Sequence, residues 1–457
     1  MNRSDIIIIG AGPGGYETAL LAASRGKSVT IIEAGHVGGT CLNEGCIPTK
    51  SLCRSAEIVR EIGESGTFGV KSGGCEVDFR AVMERKNSVV EQLRGGVETL
   101  LGHKLITLVH GRAAFKSFSF DTVVVGETEY TASDIIIATG SKAYIPPIPG
   151  ADDPDVITSR ELLGMDSLPG RLCIIGAGVI GLELASVMAA FGVQVTVLEY
   201  CREILPRFDT DIAKRLKQSL VKSGMSIVNQ AMVQSIERGE SGFEVRYDLK
   251  GRSESVFADK VLVAVGRRAD TDAMNFSDIG IAMTPKGIEV DGNMQTSIPH
   301  IYAIGDVVGG YMLAHEAVAQ GRKALDHICG MANDIDLSLM PSAVFTSPET
   351  ACVGLTEQQC REQGIPYTSR KTFFRSNGKA VCMGQTDGIC KIIVAAGAGP
   401  DGLPSGYADG RILGCHLMGP HASDLIQEIT ALMSCGATLH RLESIIHPHP
   451  TLSEVFL

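Results

Sequence analysis

The sequence predicts an α/β protein in which two Rossmann-like dinucleotide-binding domains precede a C-terminal α+β domain. Three observations predict this class. A glycine-rich strand–turn–helix pattern occurs twice, at residues 5–15 and 172–181. Each copy is followed by a second apolar strand that ends in a glutamate. Beyond about residue 341, strand-like alternation and one helical stretch replace these patterns.

The composition is that of an ordinary globular protein, and it excludes several classes. A chain of 457 residues corresponds to about three domains of about 150 residues each. The net charge of −11 argues against a nucleic-acid partner, because phosphate backbones bind basic surfaces. Thirteen scattered cysteines make a poor disulfide framework and favour a reducing, cytoplasmic setting. The start MNRSDIIIIG enters a strand almost at once, so we expect no signal or transit peptide.

The first glycine pattern lies at the N-terminus. The run DIIIIGAGPGG places Gly10, Gly12 and Gly15 directly after a β-branched strand, and a helix-like segment follows. The next strand, SVTIIEA, ends at Glu33, 23 residues after Gly10. Such glycines let the backbone approach a pyrophosphate, the helix N-terminus faces its charge, and the acid binds ribose hydroxyls. A single copy is weak evidence, because glycine-rich turns are common.

The second copy repeats this arrangement in full. The run LCIIGAGVIG contains Gly176, Gly178 and Gly181, and the strand QVTVLEY ends at Glu199, again 23 residues after the first glycine. Two plain βαβ units would not explain why both acids fall at the same offset. The sequence therefore predicts two dinucleotide sites.

The acid of the second copy also indicates which nucleotide binds there. A carboxylate at Glu199 accepts the ribose 2′-hydroxyl and repels a 2′-phosphate, which favours NAD over NADP. Arg202 lies close in sequence and could weaken that preference.

Residues 172–192 are apolar enough and long enough to resemble a membrane span. Glu183 and the glycine cluster inside this stretch favour a soluble strand, turn and helix instead. We therefore expect no membrane-spanning segment.

Three further runs end an apolar strand in a glycine turn, at 132–150, 259–270 and 298–308. The last of them places Asp306 after its strand. An acid at the carboxyl end of a parallel strand is placed for ligand contact, although it could equally cap the next helix.

The C-terminal region predicts antiparallel strands and one helix, and so a separate α+β domain. Between two of its strands, residues 395–411 are rich in glycine and proline and predict a long hairpin loop without a function of its own.

The segment GGTCLNEGCIPTKSL, residues 38–52, contains Cys41 and Cys46. Pro48 suits the first turn of a helix, and a helix N-terminus lowers the pKa of a thiol. The pair could be two unrelated buried thiols or half of a zinc site. Next to two dinucleotide sites, a redox relay between the cysteines and a bound flavin is favoured.

This segment resembles the active-disulfide segment of the flavin-dependent pyridine nucleotide-disulfide oxidoreductases. The runs HPHPTLSE (447–454) and YAIGDVVGGYMLAHEA (302–317) resemble segments of those members that oxidise dihydrolipoamide. The resemblance extends over essentially the whole chain. It departs from the family pattern at Pro448 and at Glu17, and neither change removes a reactive group.

The resemblance implies a role for each reactive residue. Cys41 would exchange with the substrate and Cys46 would contact the flavin. His449 would be the general base, oriented by Glu454, and would act on the disulfide of the neighbouring subunit of a homodimer. Lys50 would lie near the reactive nitrogen of the flavin and pair with Glu183. The cofactor-binding residues would be, for FAD, Gly10, Gly12, Gly15, Glu33, Lys50, Gly140 and Asp306, and, for NAD, Gly176, Gly178, Gly181, Glu183, Glu199 and Gly266.

The resemblance also implies the disulfide reductase fold, with an FAD-binding segment (1–148), an NAD-binding domain (149–268), a return to the FAD domain (269–340) and a dimerisation domain (341–457). The implied reaction is dihydrolipoamide plus NAD+ giving lipoamide plus NADH. The implied partners are lipoyl domains, or a lipoyl carrier protein, of 2-oxo-acid dehydrogenase or glycine cleavage complexes. The alternatives are an NADPH-driven reductase of a small disulfide, which Glu199 disfavours, and a non-catalytic scaffold subunit.

Overall fold

The N-terminal unit is a parallel sheet that antiparallel strands extend and helices cover. The structure is a computed structural model and describes residues 2–116, 119–272, 274–397 and 409–457, apart from the side chain of Ser277. The strands of this unit are β1 (Asn2–Ile9), β2 (Val29–Glu33), β3 (Ile106–His110), β4 (Ala113–Phe115), β5 (Thr122–Val125), β6 (Thr128–Ile137) and β7 (Ser141–Ala143). Its helices are α1 (Pro13–Ser24), α2 (Gly39–Glu44), α3 (Cys46–Glu64) and α4 (Phe79–Leu101).

The strand order explains the apolar run at the N-terminus. The sheet runs β3-β2-β1-β6-β5-β4, and β1 pairs in parallel with both β2 and β6. A central parallel strand is covered on both faces, so its residues are continuously apolar. Accordingly, Ile6, Ile7 and Ile8 are all fully buried.

The second unit repeats the parallel sheet and adds an antiparallel one. Its strands are β8 (Val156–Ile157), β9 (Arg171–Ile175), β10 (Gln194–Glu199), β11 (Ser226–Asn229), β12 (Ala231–Gly239), β13 (Gly242–Leu249), β14 (Arg252–Ala258), β15 (Lys260–Val263) and β16 (Arg267–Ala269). Its helices are α5 (Ser159–Leu162), α6 (Val179–Ala190) and α7 (Thr210–Lys222). The parallel sheet has the order β11-β10-β9-β15-β8, and β12, β13 and β14 form an antiparallel meander.

The apolar stretch 172–192 divides into β9, a glycine turn and α6, as the sequence predicts. In the part of the chain that the structure describes, no helix is both long and apolar enough to cross a membrane.

The chain then returns to the first sheet. This segment contains β17 (Met283–Thr284), β18 (Gly287–Ile288), β19 (Ile301–Ala303) and α8 (Ala314–Ile328). Strand β19 pairs in parallel with β6, and α8 packs against α1. Strand β16 pairs with β7, so a short two-stranded sheet joins the two units.

The C-terminal unit is a five-stranded antiparallel sheet with helices. Its elements are β20 (Ser342–Val344), β21 (Glu349–Gly354), α9 (Glu357–Glu362), β22 (Tyr367–Phe373), α10 (Gly378–Cys382), β23 (Ile389–Ala395), β24 (Ile412–Gly419), α11 (Ala422–Ser434) and α12 (Leu439–Glu443). The order is β20-β21-β24-β23-β22, and α11 packs on β21 and β24. The predicted hairpin loop joins β23 to β24, but its residues 398–408 lie outside the described residues.

The predicted fold class is therefore confirmed: two Rossmann-like units and a C-terminal α+β unit. The boundaries placed at 148, 268 and 340 stay predictions. In both parallel sheets the carboxyl ends of the strands carry the loops where ligands bind in such folds.

Candidate active site

One continuous cleft of about 2090 Å³ lies between the units at the carboxyl ends of their parallel strands. It brings together most of the predicted site residues from both copies of the glycine pattern. These are Gly10, Gly12, Gly15, Glu33, Cys41, Cys46, Lys50, Gly140, Gly176, Gly178, Glu183, Glu199, Gly266 and Asp306. Gly181, His449 and Glu454 are not among the lining residues.

The two glycine loops form matching cradles. Gly10 and Gly176 have φ angles of +106° and +105°, a conformation that residues with a Cβ rarely adopt. A Cβ on Gly15 would lie 1.9 Å from the Gly10 carbonyl oxygen, and one on Gly181 would lie 2.1 Å from that of Gly176. Gly181 thus serves close helix packing behind the loop. Helices α1 and α6 both begin without a side-chain cap, which leaves N–H groups free to bind a pyrophosphate.

The two strand-end glutamates are anchored in the same way. Each carboxylate accepts a hydrogen bond from a backbone N–H of the glycine loop that precedes it. It accepts a second from the backbone N–H of the residue two positions after the glutamate. The donor–acceptor distances are 2.7 Å from Ala11 and Gly35 to Glu33, and 2.6 Å from Ala177 and Cys201 to Glu199. The sequence predicted only a ribose contact for these acids. Because each carboxylate oxygen accepts more than one hydrogen bond, both can hold the loop and still bind ribose hydroxyls.

The two cysteines face this cleft with unequal acidities. Cys41 lies in α2 and Cys46 begins α3, and both are thiols in this structure. The hydrogen bond from Cys41 is the main cause that lowers the pKa of Cys46 to about 7, and the charge of Lys50 lowers it further. The same hydrogen bond, together with burial, raises the pKa of Cys41. A backbone N–H at the start of helix α3 lowers the pKa of Cys46 as well. Cys46 is therefore the thiol that ionises first.

Lys50 and Glu183 form the pair that the resemblance implies. The Lys50 Nζ lies 2.9 Å and 3.1 Å from the two carboxylate oxygens of Glu183. Burial opposes the charge on Lys50, but the charge and hydrogen bond of Glu183 outweigh it and raise the pKa of Lys50. The ion pair with Lys50 thus explains why Glu183 is buried in an otherwise apolar helix.

Phe345 is a residue of this site that the sequence analysis missed. Its backbone N–H donates to Glu183 at 2.9 Å, and its ring centroid lies 4.4 Å from the Lys50 Nζ. No local pattern marks it, because the contact joins residues 162 positions apart.

Asp306 lies in the turn Gly305–Val308 and contacts two further residues that the sequence did not single out. The Ser141 hydroxyl donates to its carboxylate. Arg267 donates in turn to the hydroxyl and the carbonyl of Ser141, both at 2.7 Å. Helix α8 has no side-chain cap, so Asp306 does not cap it, and Asp306 lines the cleft instead.

His449 and Glu454 lie apart from the cleft. The His449 Nδ1 is 2.9 Å from a carboxylate oxygen of Glu454, whose other oxygen accepts the Thr451 N–H at 2.8 Å. The Thr451 N–H and His449 hold the pKa of Glu454 below its usual value. The His449 side chain is 77% exposed. Such a pair fixes one tautomer and stabilises the imidazolium. Neither residue lines the cleft that contains the thiols of the same subunit.

A groove lies between α3 and α4 and includes Lys50, which also lines the cleft. Its lining residues are Ile47, Lys50, Ser51, Arg54, Ser55, Ile58, Arg85, Val89 and Leu93. The side chains of Ile58 and Leu93 are each 42% exposed. Lys50 is thus shared by the groove and by the cleft that contains the two thiols.

Two nucleotide cradles that open into one cleft beside a thiol pair define an oxidoreductase that couples a dithiol to a pyridine nucleotide. The comparisons with known proteins agree with this class. The family profile of the pyridine nucleotide-disulphide oxidoreductases matches residues 4–321, and the dimerisation domain of the same family matches residues 340–457. The chain belongs to this family.

Named relatives cover almost the whole chain. It is 39% identical over 457 residues to a dihydrolipoyl dehydrogenase of Geobacillus stearothermophilus, covering 99% of this chain and 94% of that protein. It is 40% identical to that of Chlamydia muridarum, covering 100% and 96%. The structure is similar to that of RclA, the HOCl-induced flavoprotein disulfide reductase of Escherichia coli, with a TM-score of 0.85 and 31% identity over 99% and 98% of the two chains. The predicted disulfide reductase fold is confirmed.

Proposed function

We propose that this protein oxidises dihydrolipoamide to lipoamide with NAD+ as acceptor and FAD as its bound cofactor. The observation that carries the proposal is the thiol pair in the shared cleft, with its more acidic member, Cys46, next to Lys50. The full-length similarity to dihydrolipoyl dehydrogenases supports this substrate.

The first cradle fits FAD. An added Cβ on Gly12 would meet only the Cα of Gly39, at 3.8 Å, which leaves room for a pyrophosphate, and Glu33 lies at the ribose end. Cys46 and Asp306 line the same cleft further on. When bound, FAD supplies the transfer of an electron pair between the dithiol and the nicotinamide.

The thiol chemistry follows from the acidities of the two cysteines. In the oxidised protein Cys41 and Cys46 form a disulfide. A substrate thiolate attacks the Cys41 sulfur, the disulfide breaks, and its electron pair stays on Cys46 as a thiolate next to Lys50. The second substrate thiol gives its proton to His449 of the partner subunit and displaces Cys41 as lipoamide forms. Cys41 and Cys46 are then the reduced pair, and two substrate thiols have become one disulfide.

Glu199 selects NAD in the second site. It is 6% exposed, and its carboxylate is fixed by two backbone N–H groups, so it cannot move away from a 2′-phosphate. An NADPH-driven disulfide reductase would need a cation in its place.

The groove between α3 and α4 suits a lipoyl arm, because that arm is a long apolar chain with a dithiol at its end. Its protein partners would be lipoyl domains, or a lipoyl carrier protein, of a 2-oxo-acid dehydrogenase or glycine cleavage complex. The enzyme would act as a homodimer through residues 340–457, which match a dimerisation domain.

The experiment follows NADH absorbance with dihydrolipoamide, with NAD+ and NADP+ offered in parallel. We expect rapid reduction of NAD+ and poor reduction of NADP+. A Cys41→Ser variant should abolish the reaction, and a Cys435→Ser variant, at an exposed cysteine outside the cleft, should not. No reduction of either nucleotide, combined with rapid NADPH oxidation by glutathione disulfide, would refute the proposal.

A further inference from the structure

The side chain of His447 is buried, although the thiol chemistry does not use it. It is only 4% exposed, whereas the side chain of His449, two residues further on, is 77% exposed. The His447 Nε2 lies 2.8 Å from a carboxylate oxygen of Glu428, which belongs to α11. Its Nδ1 lies 3.1 Å from the carbonyl oxygen of Ile445. The ring is therefore held from two sides, and this fixes the chain that carries it.

Both partners of the His447 ring are acceptors. A carbonyl oxygen cannot donate a hydrogen bond, and an ionised carboxylate such as Glu428 only accepts. A neutral imidazole donates from one nitrogen alone, so both hydrogen bonds form together when the ring is an imidazolium. The Thr451 N–H is the largest cause that lowers the pKa of Glu454, and the charge of His447 lowers it further. The charge of His447 thus acts on the carboxylate that pairs with His449.

The segment that joins His447 to His449 is short and stiff. Pro448 is the one residue between them, and its ring fixes the φ angle at about −65°. On the other side of His449, the side-chain amide of Asn377, which is 6% exposed, donates to the Thr451 carbonyl at 3.0 Å. His449 is thus an exposed residue between two buried polar contacts.

We propose that His447 and Glu428 are positioning residues, and that their contact holds His449 where a substrate thiol in the partner's cleft can reach it. The inference rests on the proposed function, in which His449 takes a proton from that thiol. Glu454 orients the His449 ring, whereas the His447 contact fixes the backbone that carries the ring. A base acts only within hydrogen-bond reach of the proton, so a loosened segment lowers the rate without removing the base.

The test measures dihydrolipoamide oxidation by the holoenzyme carrying His447→Ala, Glu428→Ala or both. Each single variant should lower kcat about tenfold, because a misplacement of about 1 Å can cost up to about a hundredfold, and the KM for dihydrolipoamide should not change. Since the two residues act through one contact, the double variant should lose no more than either single variant. Glu428→Gln keeps an acceptor for the His447 ring, so this variant should retain most of the activity.

Two controls separate positioning from a structural defect. Reduction of a dye by NADH needs no base, so all of these variants should retain it. His440→Ala is the matched control, because His440 is an exposed histidine of the same unit. Its kcat should equal that of the wild type.

The outcomes separate this inference from the proposed function. An unchanged kcat in His447→Ala, in an enzyme that His449→Gln inactivates, would overturn the positioning role and leave the function standing. Losses of the two single variants that multiply in the double variant would also overturn it, because residues that act independently show such additivity in free energy. A parallel loss of dye reduction would place the defect in the fold and overturn it as well. A wild-type holoenzyme that does not oxidise dihydrolipoamide would overturn both.

Discussion

At the residue scale, one neighbouring cation adds to the acidity that the hydrogen bond from Cys41 gives to Cys46. Lys50 is held by Glu183, which in turn is held by the Phe345 N–H. The cation is therefore fixed before Cys46 loses its proton. A thiolate is favoured by a fixed positive charge nearby, because the charge is already oriented when the proton leaves.

Lys50→Gln should raise the pKa of Cys46. In the wild type the Cys46 thiol is protonated below a pH of about 7 and becomes a thiolate above it. Without the ammonium, the transition should move to higher pH, and activity near neutral pH should fall with it. The measurement is the ultraviolet absorbance of the thiolate, in the dithiol form, as a function of pH.

Arg54→Gln is the control for Lys50→Gln. Arg54 lies one turn further along α3, is 59% exposed and pairs with Glu57. Loss of the Arg54 charge should leave the pKa of Cys46 unchanged. If both variants titrate like the wild type, Lys50 does not set the acidity of Cys46.

His449→Gln should lower the kcat of dihydrolipoamide oxidation about 10²- to 10⁴-fold, because the substrate thiol loses its general base. Glu454→Gln should cost less, since the imidazole remains and only its fixed orientation is weakened. Reduction of a dye by NADH needs neither the base nor a substrate thiol, so both variants should retain it. Loss of both activities together would indicate a structural defect and not a lost base.

At the scale of elements, buried charges join the second unit to the C-terminal sheet. Lys391 in β23 is 1% exposed, and its Nζ lies 2.8 Å from Asp209, 3.0 Å from Asp211 and 3.1 Å from Glu357. Asp209 caps α7, the helix that follows β10. This cluster fixes the nucleotide-binding unit against the dimerisation domain.

Lys391→Met should lower the free energy of unfolding by about 3–5 kcal/mol, because it leaves the buried Asp209 carboxylate without its cation. Lys371→Met is the matched control, since Lys371 also pairs with Asp211, at 2.6 Å, but is 40% exposed. Its loss should cost at most about 1 kcal/mol. Urea unfolding of both variants measures the difference. Equal losses would show that burial of this cluster adds nothing to stability.

The site could be predicted from sequence only where its chemistry is local. Gly10 and Glu33, like Gly176 and Glu199, were found because a fixed offset relates strand, turn and acid. Ser141 was missed, because its contact with Asp306 joins residues 165 positions apart. The Lys50–Glu183 pair, 133 positions apart, was found only through the family resemblance. Contacts between units depend on how the sheets pack, and no short pattern records that.

At the scale of the whole molecule, the proposed function implies that one subunit does not contain a complete site. His449 and Glu454 belong to the region that matches a dimerisation domain, and they lie outside the cleft that contains the thiols. A twofold dimer contacts itself through the same surface on both subunits, so each C-terminal region can complete the cleft of its partner. Under this proposal, the exposed histidine would act in the active site of the neighbouring subunit.

Mixed dimers test this arrangement directly. Cys41→Ser and His449→Gln should each be nearly inactive as homodimers. If the two variants are unfolded and reassembled together at equal amounts, about half of the dimers are mixed, and each mixed dimer has one site with intact thiols and an intact base. Recovered activity should approach about a quarter of the wild-type value. A base that acted within its own subunit would leave every mixed dimer without a complete site. Mixed dimers that are isolated by two affinity tags and show no recovered activity would therefore contradict the shared site.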